Sequence, residues 1–66
     1  MDKIYEDYGI EIFKNDVKYF LRYDAGEIVA QLKDIEISGV EAREIQEQKS
    51  EKELYDYMIK NLNDRI

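Results

Sequence analysis

The spacing of apolar residues changes once along this chain, near Ser38. Before that point Ile, Val, Tyr and Phe alternate with polar residues at period two, the pattern of strands that bury one face. Beyond it Glu, Gln, Lys, Leu and Met predominate, and these residues favour helices. No proline or linker interrupts either part. The sequence therefore predicts one small α+β domain over residues 1–66, in which the helices follow the sheet and pack on one of its faces.

The alternating part predicts a three-stranded antiparallel meander. Its strands lie roughly at residues 8–14, 17–23 and 28–37. Asn15 and Asp16 suit a two-residue hairpin loop, and Gly26 gives the second turn, 24–27, the positive φ that it needs. Residues 1–7 are ambiguous, since they would either extend the first strand or form a loose arm.

These turns set a register, and the register gives the sheet two different faces. Ile12 is predicted opposite Tyr19, and Tyr23 opposite Ile28. One face is apolar in all three strands and is expected to lie under the helices. It carries Tyr8, Ile10, Ile12, Tyr19, Leu21, Tyr23, Ile28, Ala30 and Leu32.

Two capping boxes predict where the helices begin. In each box a serine hydroxyl accepts from an early helical N–H, and the glutamate three residues later accepts from the serine N–H. The boxes are Ser38 with Glu41 and Ser50 with Glu53. They predict a short helix near 39–48 and a main helix near 51–64, with a single kinked helix as the alternative. The apolar stripe of the main helix is formed by Leu54, Tyr55, Met58, Ile59, Leu62 and Ile66.

Composition excludes most catalytic and metal-binding chemistry. The chain has no Cys and no His, so it lacks thiolate and imidazole ligands, zinc signatures and the histidine-based catalytic triads. Both serines are explained as helix caps, the acidic clusters lack the spacing of a calcium loop, and there is no glycine-rich phosphate loop. We therefore expect no enzyme activity, no catalytic residue, no metal site and no cofactor.

The second face of the predicted sheet is the candidate binding surface. Helices on the other side leave it uncovered, and an exposed apolar patch usually marks an interface. Lys18, Arg22 and Lys33 against Glu11 would give this face a local excess of +2, on a chain of net charge −6. The predicted partner-binding residues are Phe13, Lys18, Phe20, Arg22, Val29, Lys33 and Ile35, and Ile37 completes the apolar patch. The alternative is that the helices wrap differently and this face is also core.

The acidic balance indicates what kind of partner to expect. Nucleic-acid binding needs a surplus of Lys and Arg, whereas an acidic protein is attracted to basic surfaces. The main hypothesis is a small non-catalytic binding protein that regulates or inhibits a larger protein with a basic, nucleic-acid-binding surface. In size and acidity the chain is similar to small phage-encoded inhibitors of restriction or CRISPR machinery, which implies inhibition of a nucleic-acid-processing or defence system.

Two other functions are predicted as alternatives. An aromatic and basic sheet face would bind a nucleotide or single-stranded nucleic acid by stacking, and a structural subunit would only self-assemble. Because so small a chain has a marginal core, we expect a homo-oligomer or a partner-bound state.

No apolar run in the sequence exceeds three residues. That predicts neither a membrane span nor a secretory signal, hence a cytoplasmic protein, in the host cell if phage-encoded.

Overall fold

The computed structural model describes residues 1–24, 29 and 31–66. These residues form a four-stranded antiparallel sheet followed by two helices. The elements are β1 (Asp2–Asp7), β2 (Ile10–Asn15), β3 (Lys18–Asp24), β4 (Leu32–Ile37), α1 (Gly39–Gln46) and α2 (Glu51–Asn61). The strands lie in chain order, so β1 and β4 are the edges. The α+β class and the two separate helices are confirmed, whereas the prediction of three strands is wrong.

The additional strand comes from the ambiguous first residues. They form β1, which turns at Tyr8 and Gly9 and pairs with β2. Both turn residues have positive φ, +52° for Tyr8 and +80° for Gly9, as a two-residue type I′ hairpin requires. Tyrosine is uncommon in this conformation. Its period-two spacing from Ile10 and Ile12 instead predicted that Tyr8 would lie within a strand.

Tertiary hydrogen bonds hold Tyr8 in its unusual conformation. Its hydroxyl donates to the carbonyl of Lys49 at 3.2 Å, and its own carbonyl accepts from the Tyr55 hydroxyl at 2.9 Å. These bonds join the β1–β2 turn to the start of α2, so the helices and the turn fix one another.

The β2–β3 hairpin turns one residue later than predicted. Asn15 pairs with Lys18, which leaves Asp16 and Val17 as the loop. Ile12 therefore pairs with Leu21 rather than with Tyr19. The pairing has moved by two residues, and an even shift keeps every side chain of both strands on its predicted face.

The pairing of β4 with β3 has moved by an odd number of residues, so each β4 side chain lies on the face of the sheet opposite to the predicted one. Tyr19 pairs with Ile37, five residues beyond the predicted partner Leu32, and Leu21 pairs with Ile35. Ile35 and Ile37 therefore face the helices, while Leu32 lies on the opposite face and is 63% exposed. The cause is a connection from β3 that is longer than the predicted turn. The predicted turn at Gly26 and the pairings of Ile28 and Ala30 lie outside the described residues.

The core lies between one face of the sheet and the two helices. Its buried side chains are Ile10, Ile12, Leu21, Tyr23 and Ile37 from the sheet and Ala42, Ile45, Leu54, Met58 and Leu62 from the helical part. Only half of the apolar stripe predicted for the main helix is buried. Tyr55, Ile59 and Ile66 are exposed. Part of the sheet face is covered by α1, whose Ala42 and Ile45 are buried there, so less of it is left for α2.

Both predicted serine caps are present, but only the first forms a complete box. The Ser38 hydroxyl accepts from the Glu41 N–H at 3.0 Å, and the Glu41 carboxylate accepts from the Ser38 N–H at 2.8 Å. The Ser50 hydroxyl accepts from the Glu53 N–H at 3.2 Å, but the Glu53 carboxylate accepts from the N–H of Lys49 rather than of Ser50. The chain is already turning there between α1 and α2, so the neighbouring N–H is the one within reach.

Candidate partner-binding surface

The face of the sheet turned away from the helices is called the outer face here. Strand register defines it, since directly paired residues lie on the same side of an antiparallel sheet. Its described members are Lys3, Glu6, Glu11, Phe13, Asn15, Lys18, Phe20, Arg22, Asp24, Leu32, Asp34 and Glu36. They come from all four strands and form one continuous surface.

Two phenylalanines occupy the middle of the outer face. Phe13 and Phe20 are direct cross-strand partners in β2 and β3, and both are half-buried. The guanidinium of Arg22 lies 4.5 Å from the centre of the Phe13 ring, within the range of a cation–π contact. Neither α1 nor α2 covers this side, so the exposed parts of the two rings form an apolar centre on the described surface.

Ion pairs fix the charged side chains around these rings. Arg22 binds Asp34 through two parallel bonds, Nε to Oδ1 at 2.8 Å and Nη2 to Oδ2 at 3.1 Å. The hydrogen bond from Arg22 lowers the pKa of Asp34. On the other side Lys3 pairs with Glu6 at 3.1 Å and with Glu11 at 3.2 Å. Hydrogen bonds to these carboxylates, with that to Glu6 the larger influence, raise the pKa of Lys3.

The outer face is acidic, which corrects the predicted excess of +2. Three of its described residues are basic, namely Lys3, Lys18 and Arg22. Five are acidic, namely Glu6, Glu11, Asp24, Asp34 and Glu36. The reversed faces of β4 replace Lys33 with Asp34 and Glu36, and the additional strand β1 contributes Lys3 and Glu6. The local charge is therefore 3 − 5 = −2, of the same sign as that of the whole chain.

The structure brings together some, but not all, of the residues predicted to bind a partner. Phe13, Lys18, Phe20 and Arg22 share the outer face as predicted. Val29 is 75% exposed and lies outside the strands, in the connection between β3 and β4. The placement of Lys33 and Ile35 on this face is wrong, because they pair with Tyr23 and Leu21 on the side of the helices. Whether any of these residues binds a partner stays a prediction.

Sequence reasoning missed the acidic residues that β4 places on the outer face. A signal for them was present. In the run from Lys33 to Ile37, Asp34 and Glu36 alternate with two isoleucines, and burial of both isoleucines forces both acids outward. That local signal conflicted with a register extrapolated from the predicted turn at Gly26.

The most strongly shifted ionisable groups lie among the helices and have structural partners. The hydrogen bond from Arg65 lowers the pKa of Glu41 to about 2. Burial, together with the bond that the Tyr57 hydroxyl donates to Glu44 at 2.9 Å, raises the pKa of Tyr57 to about 12. Tyr57 joins α2 to α1 through Glu44, and Arg65 joins the residues after α2 to α1 through Glu41, so tertiary contacts account for both shifts.

The described residues form neither an enclosed cavity nor a metal-binding cluster. Residues 1–24, 29 and 31–66 contain no detectable pocket and no group of three acidic side chains arranged to hold a metal ion. Neither helix in that part of the chain has the length and apolar content needed to cross a membrane. Comparison with family models, with curated proteins and with solved structures finds no match to this chain.

Proposed function

We propose that the chain is a small, acidic, non-catalytic binding protein that regulates or inhibits a protein partner bearing a basic surface. The outer face is its binding surface. The observation that carries this proposal is the Phe13–Phe20 pair, which lies on a face that neither α1 nor α2 covers and where described acidic residues outnumber basic ones five to three. Aromatic side chains within a polar rim are the usual arrangement of a protein interface, in which a few aromatic residues provide most of the affinity.

Charge determines the kind of partner. The carboxylates of the outer face and the net charge of −6 attract a basic surface and speed its association. Proteins that bind nucleic acid offer such surfaces, and carboxylates placed where phosphates would lie compete with nucleic acid for them. This is the inhibitory version of the proposal, and it assigns the protein to the cytoplasm, where such partners act.

Direct binding of a nucleotide or single strand is the weaker proposal. Two of the three basic residues on the outer face, Arg22 and Lys3, already pair with carboxylates of the same face. A phosphate would have to displace those carboxylates against a negative local charge. We therefore expect labelled single-stranded oligonucleotides to show no binding even at about 50 mM salt, where electrostatic attraction is only weakly screened.

Self-assembly through the outer face is the other alternative, and light scattering over a dilution series tests it.

Capture of the partner from the native host tests the proposal with a matched pair of variants. Phe20→Glu adds a carboxylate to the centre of the outer face, and Ile59→Glu makes the same chemical change on an exposed position of α2. A protein captured by the wild type and by Ile59→Glu, but not by Phe20→Glu, is the expected result.

Folding must be checked in the same experiment, because Phe20 is half-buried. Circular dichroism spectra of both variants are expected to match the wild type. If Phe20→Glu unfolds the chain, Phe20→Thr removes the ring while keeping a residue that favours strands. A partner retained by the folded Phe20 variant but lost with Ile59→Glu would place the binding surface on α2 and overturn the proposal.

A further inference from the structure

The two edges of the sheet differ in how well they are protected against another strand. In β1 the register shifts between Lys3 and Tyr5, so Ile4 is an extra residue that interrupts regular pairing. By contrast, β4 pairs with β3 residue by residue from Leu32 to Ile37 without interruption. Unprotected regular edges are where extended chains add to a sheet. Within the part of the chain that the structure describes, the β4 edge is therefore the more regular one, and the Arg65 side chain contacts it only at the carbonyl of Glu36.

Strand register identifies which backbone groups of β4 face outward. Asn15 and Lys18 close a two-residue loop and so exchange backbone bonds, which turns the backbone groups of Tyr19 and Leu21 away from β2 and toward their partners in β4, Ile37 and Ile35. The carbonyl of Glu36 therefore points away from β3, and there it accepts from Nη1 of Arg65 at 3.3 Å. Backbone groups of alternate residues point to the same side of a strand, which places those of Leu32 and Asp34 in the same outward row. Among the described residues no strand lies beside this row.

A second copy of this chain is a poor occupant of the edge. Antiparallel pairing of β4 with itself must set outward residues opposite outward residues. In the two registers that pair most of the strand, Asp34 then lies opposite either Asp34 or Glu36 of the second copy. Directly opposed like charges destabilise a sheet, and two chains of net charge −6 also repel each other.

We propose that the β4 edge binds an extended basic segment of a protein partner as a fifth, antiparallel strand. Lysine or arginine side chains of that segment lie beside Asp34 and Glu36 on the outer face, and the alternating apolar side chains lie beside Ile35 on the side of the helices. The proposal goes beyond the outer-face function, because recognition here is by backbone hydrogen bonds at an edge.

A short fluorescein-labelled peptide of alternating lysine and valine is the probe. It must span the six residues of β4, about 20 Å of extended chain. Fluorescence anisotropy with the full chain at low salt is expected to show binding. A peptide with glutamate in place of each lysine has the same alternation and the opposite charge, so it is expected not to bind.

Two variants at one position isolate the backbone contribution. Asp34→Ala and Asp34→Pro remove the same carboxylate, but only proline also removes the outward N–H. That N–H does not pair with β3, so proline is compatible with an edge strand at this position. Asp34→Pro is expected to bind the lysine–valine peptide about tenfold or more weakly than Asp34→Ala, as loss of a backbone bond and a steric block require.

Amide hydrogen exchange locates the bound peptide. Exchange at Leu32 and Asp34 is expected to slow when the peptide is added to the wild-type chain.

If Asp34→Pro loses its folded spectrum, Leu32→Pro compared with Leu32→Ala repeats the test at the first residue of β4. Equal peptide affinity of the folded proline and alanine variants would overturn the proposal, as would no binding to the wild type. Protection of these amides in the free protein at rising concentration would assign the edge to a second copy instead. The outer-face proposal survives any of these failures, because Phe20→Glu tests it separately.

Discussion

At the scale of single residues, Glu41 makes more structural connections than any sequence pattern indicated. Its carboxylate completes the cap of α1 by accepting from the Ser38 N–H. The same carboxylate binds both terminal nitrogens of Arg65, which lies beyond the end of α2. Arg65 also donates to the carbonyls of Asn61 and Glu36. One carboxylate therefore links the start of α1 to the end of the chain and to the edge of the sheet.

This arrangement predicts a specific loss of stability in acid. The pKa of Glu41 is lowered from 4.5 to about 2 in the folded chain, chiefly by the hydrogen bond from Arg65. Because the folded-state pKa lies below the unfolded one, the Glu41 interactions contribute fully above about pH 4.5. That contribution is lost as the pH falls towards 2. The pair is partly open to solvent, so we expect about 1–2 kcal/mol of unfolding free energy.

Glu41→Gln is the matched variant for this measurement. Glutamine keeps the acceptor that caps Ser38 but loses the charge that binds Arg65. Urea unfolding is expected to show the variant less stable than the wild type at pH 7, with the two free energies converging near pH 2. A difference that stays constant over this range would mean that Glu41 does not titrate as the geometry requires.

The cap was predictable from the sequence, but the ion pair was not. Ser38 and Glu41 are three residues apart, and their bond follows from local helix geometry alone. Arg65 reaches Glu41 only because the tertiary fold brings the residues after α2 back to the start of α1, and sequence spacing does not encode that relation. The same distinction explains Tyr8, whose turn conformation depends on bonds to Lys49 and Tyr55.

At the scale of elements, turn geometry decided which face assignments were correct. A shift of two residues left the faces of β2 and β3 intact, whereas a shift of five reversed those of β4. The sequence contains the alternation within each strand but not the length of the connection between strands. The phenylalanines of the candidate surface, from β2 and β3, were therefore predicted on the correct face. The alternation in β4 indicated that Asp34 and Glu36 share a face, but which face they share depended on the length of the connection.

The β1–β2 turn provides a test of this dependence on backbone conformation. Gly9 has φ of +80°, and an alanine Cβ there would lie 3.5 Å from the Tyr55 hydroxyl, which leaves room for it. Its cost is therefore conformational, and Gly9→Ala is expected to lower the free energy of unfolding by about 1 kcal/mol. Thermal or urea unfolding measures the change.

Gly39→Ala is the control for this prediction, because Gly39 is the first residue of α1 and does not have a positive φ. An added Cβ would lie 3.4 Å from Cε2 of Tyr19, at the limit of ordinary van der Waals contact. Alanine favours the helix, so stability is expected to stay within about 0.5 kcal/mol of the wild type or to rise. Equal losses from both substitutions would show that the φ of Gly9 is not what constrains the turn.

At the scale of the whole molecule, one excess of acidic residues affects both binding and stability. Sixteen acidic residues against ten basic ones give the net charge of −6, and the outer face has the same sign. That excess of like charge makes parts of the folded chain repel one another. A partner with a basic surface, as proposed above, would relieve this repulsion as well as bury the aromatic centre.

Salt should reveal that repulsion in the isolated chain. At about 0.01 M salt the screening length of about 30 Å is comparable to the longest dimension of the described structure, 34 Å, so distant carboxylates repel. At about 0.1 M the screening length falls to about 10 Å, and the repulsion weakens. Salt also screens attractive surface pairs such as Lys3 with Glu6, but each of these contributes little to stability. Screening of the repulsion is therefore the larger effect, and sodium chloride is expected to raise the free energy of unfolding at pH 7 by about 1 kcal/mol.

The same titration at pH 4.5 supplies the control, because the isoelectric point of the sequence is about 4.5. With the net charge near zero only the attractive pairs are left to screen, so the stabilisation by salt is expected to disappear or reverse. If salt instead destabilises the chain at pH 7, the ion pairs of Arg22 and Arg65 outweigh the net repulsion. The proposed binding to a basic partner would then depend on direct charge attraction and on the two phenylalanines, and not on relief of repulsion.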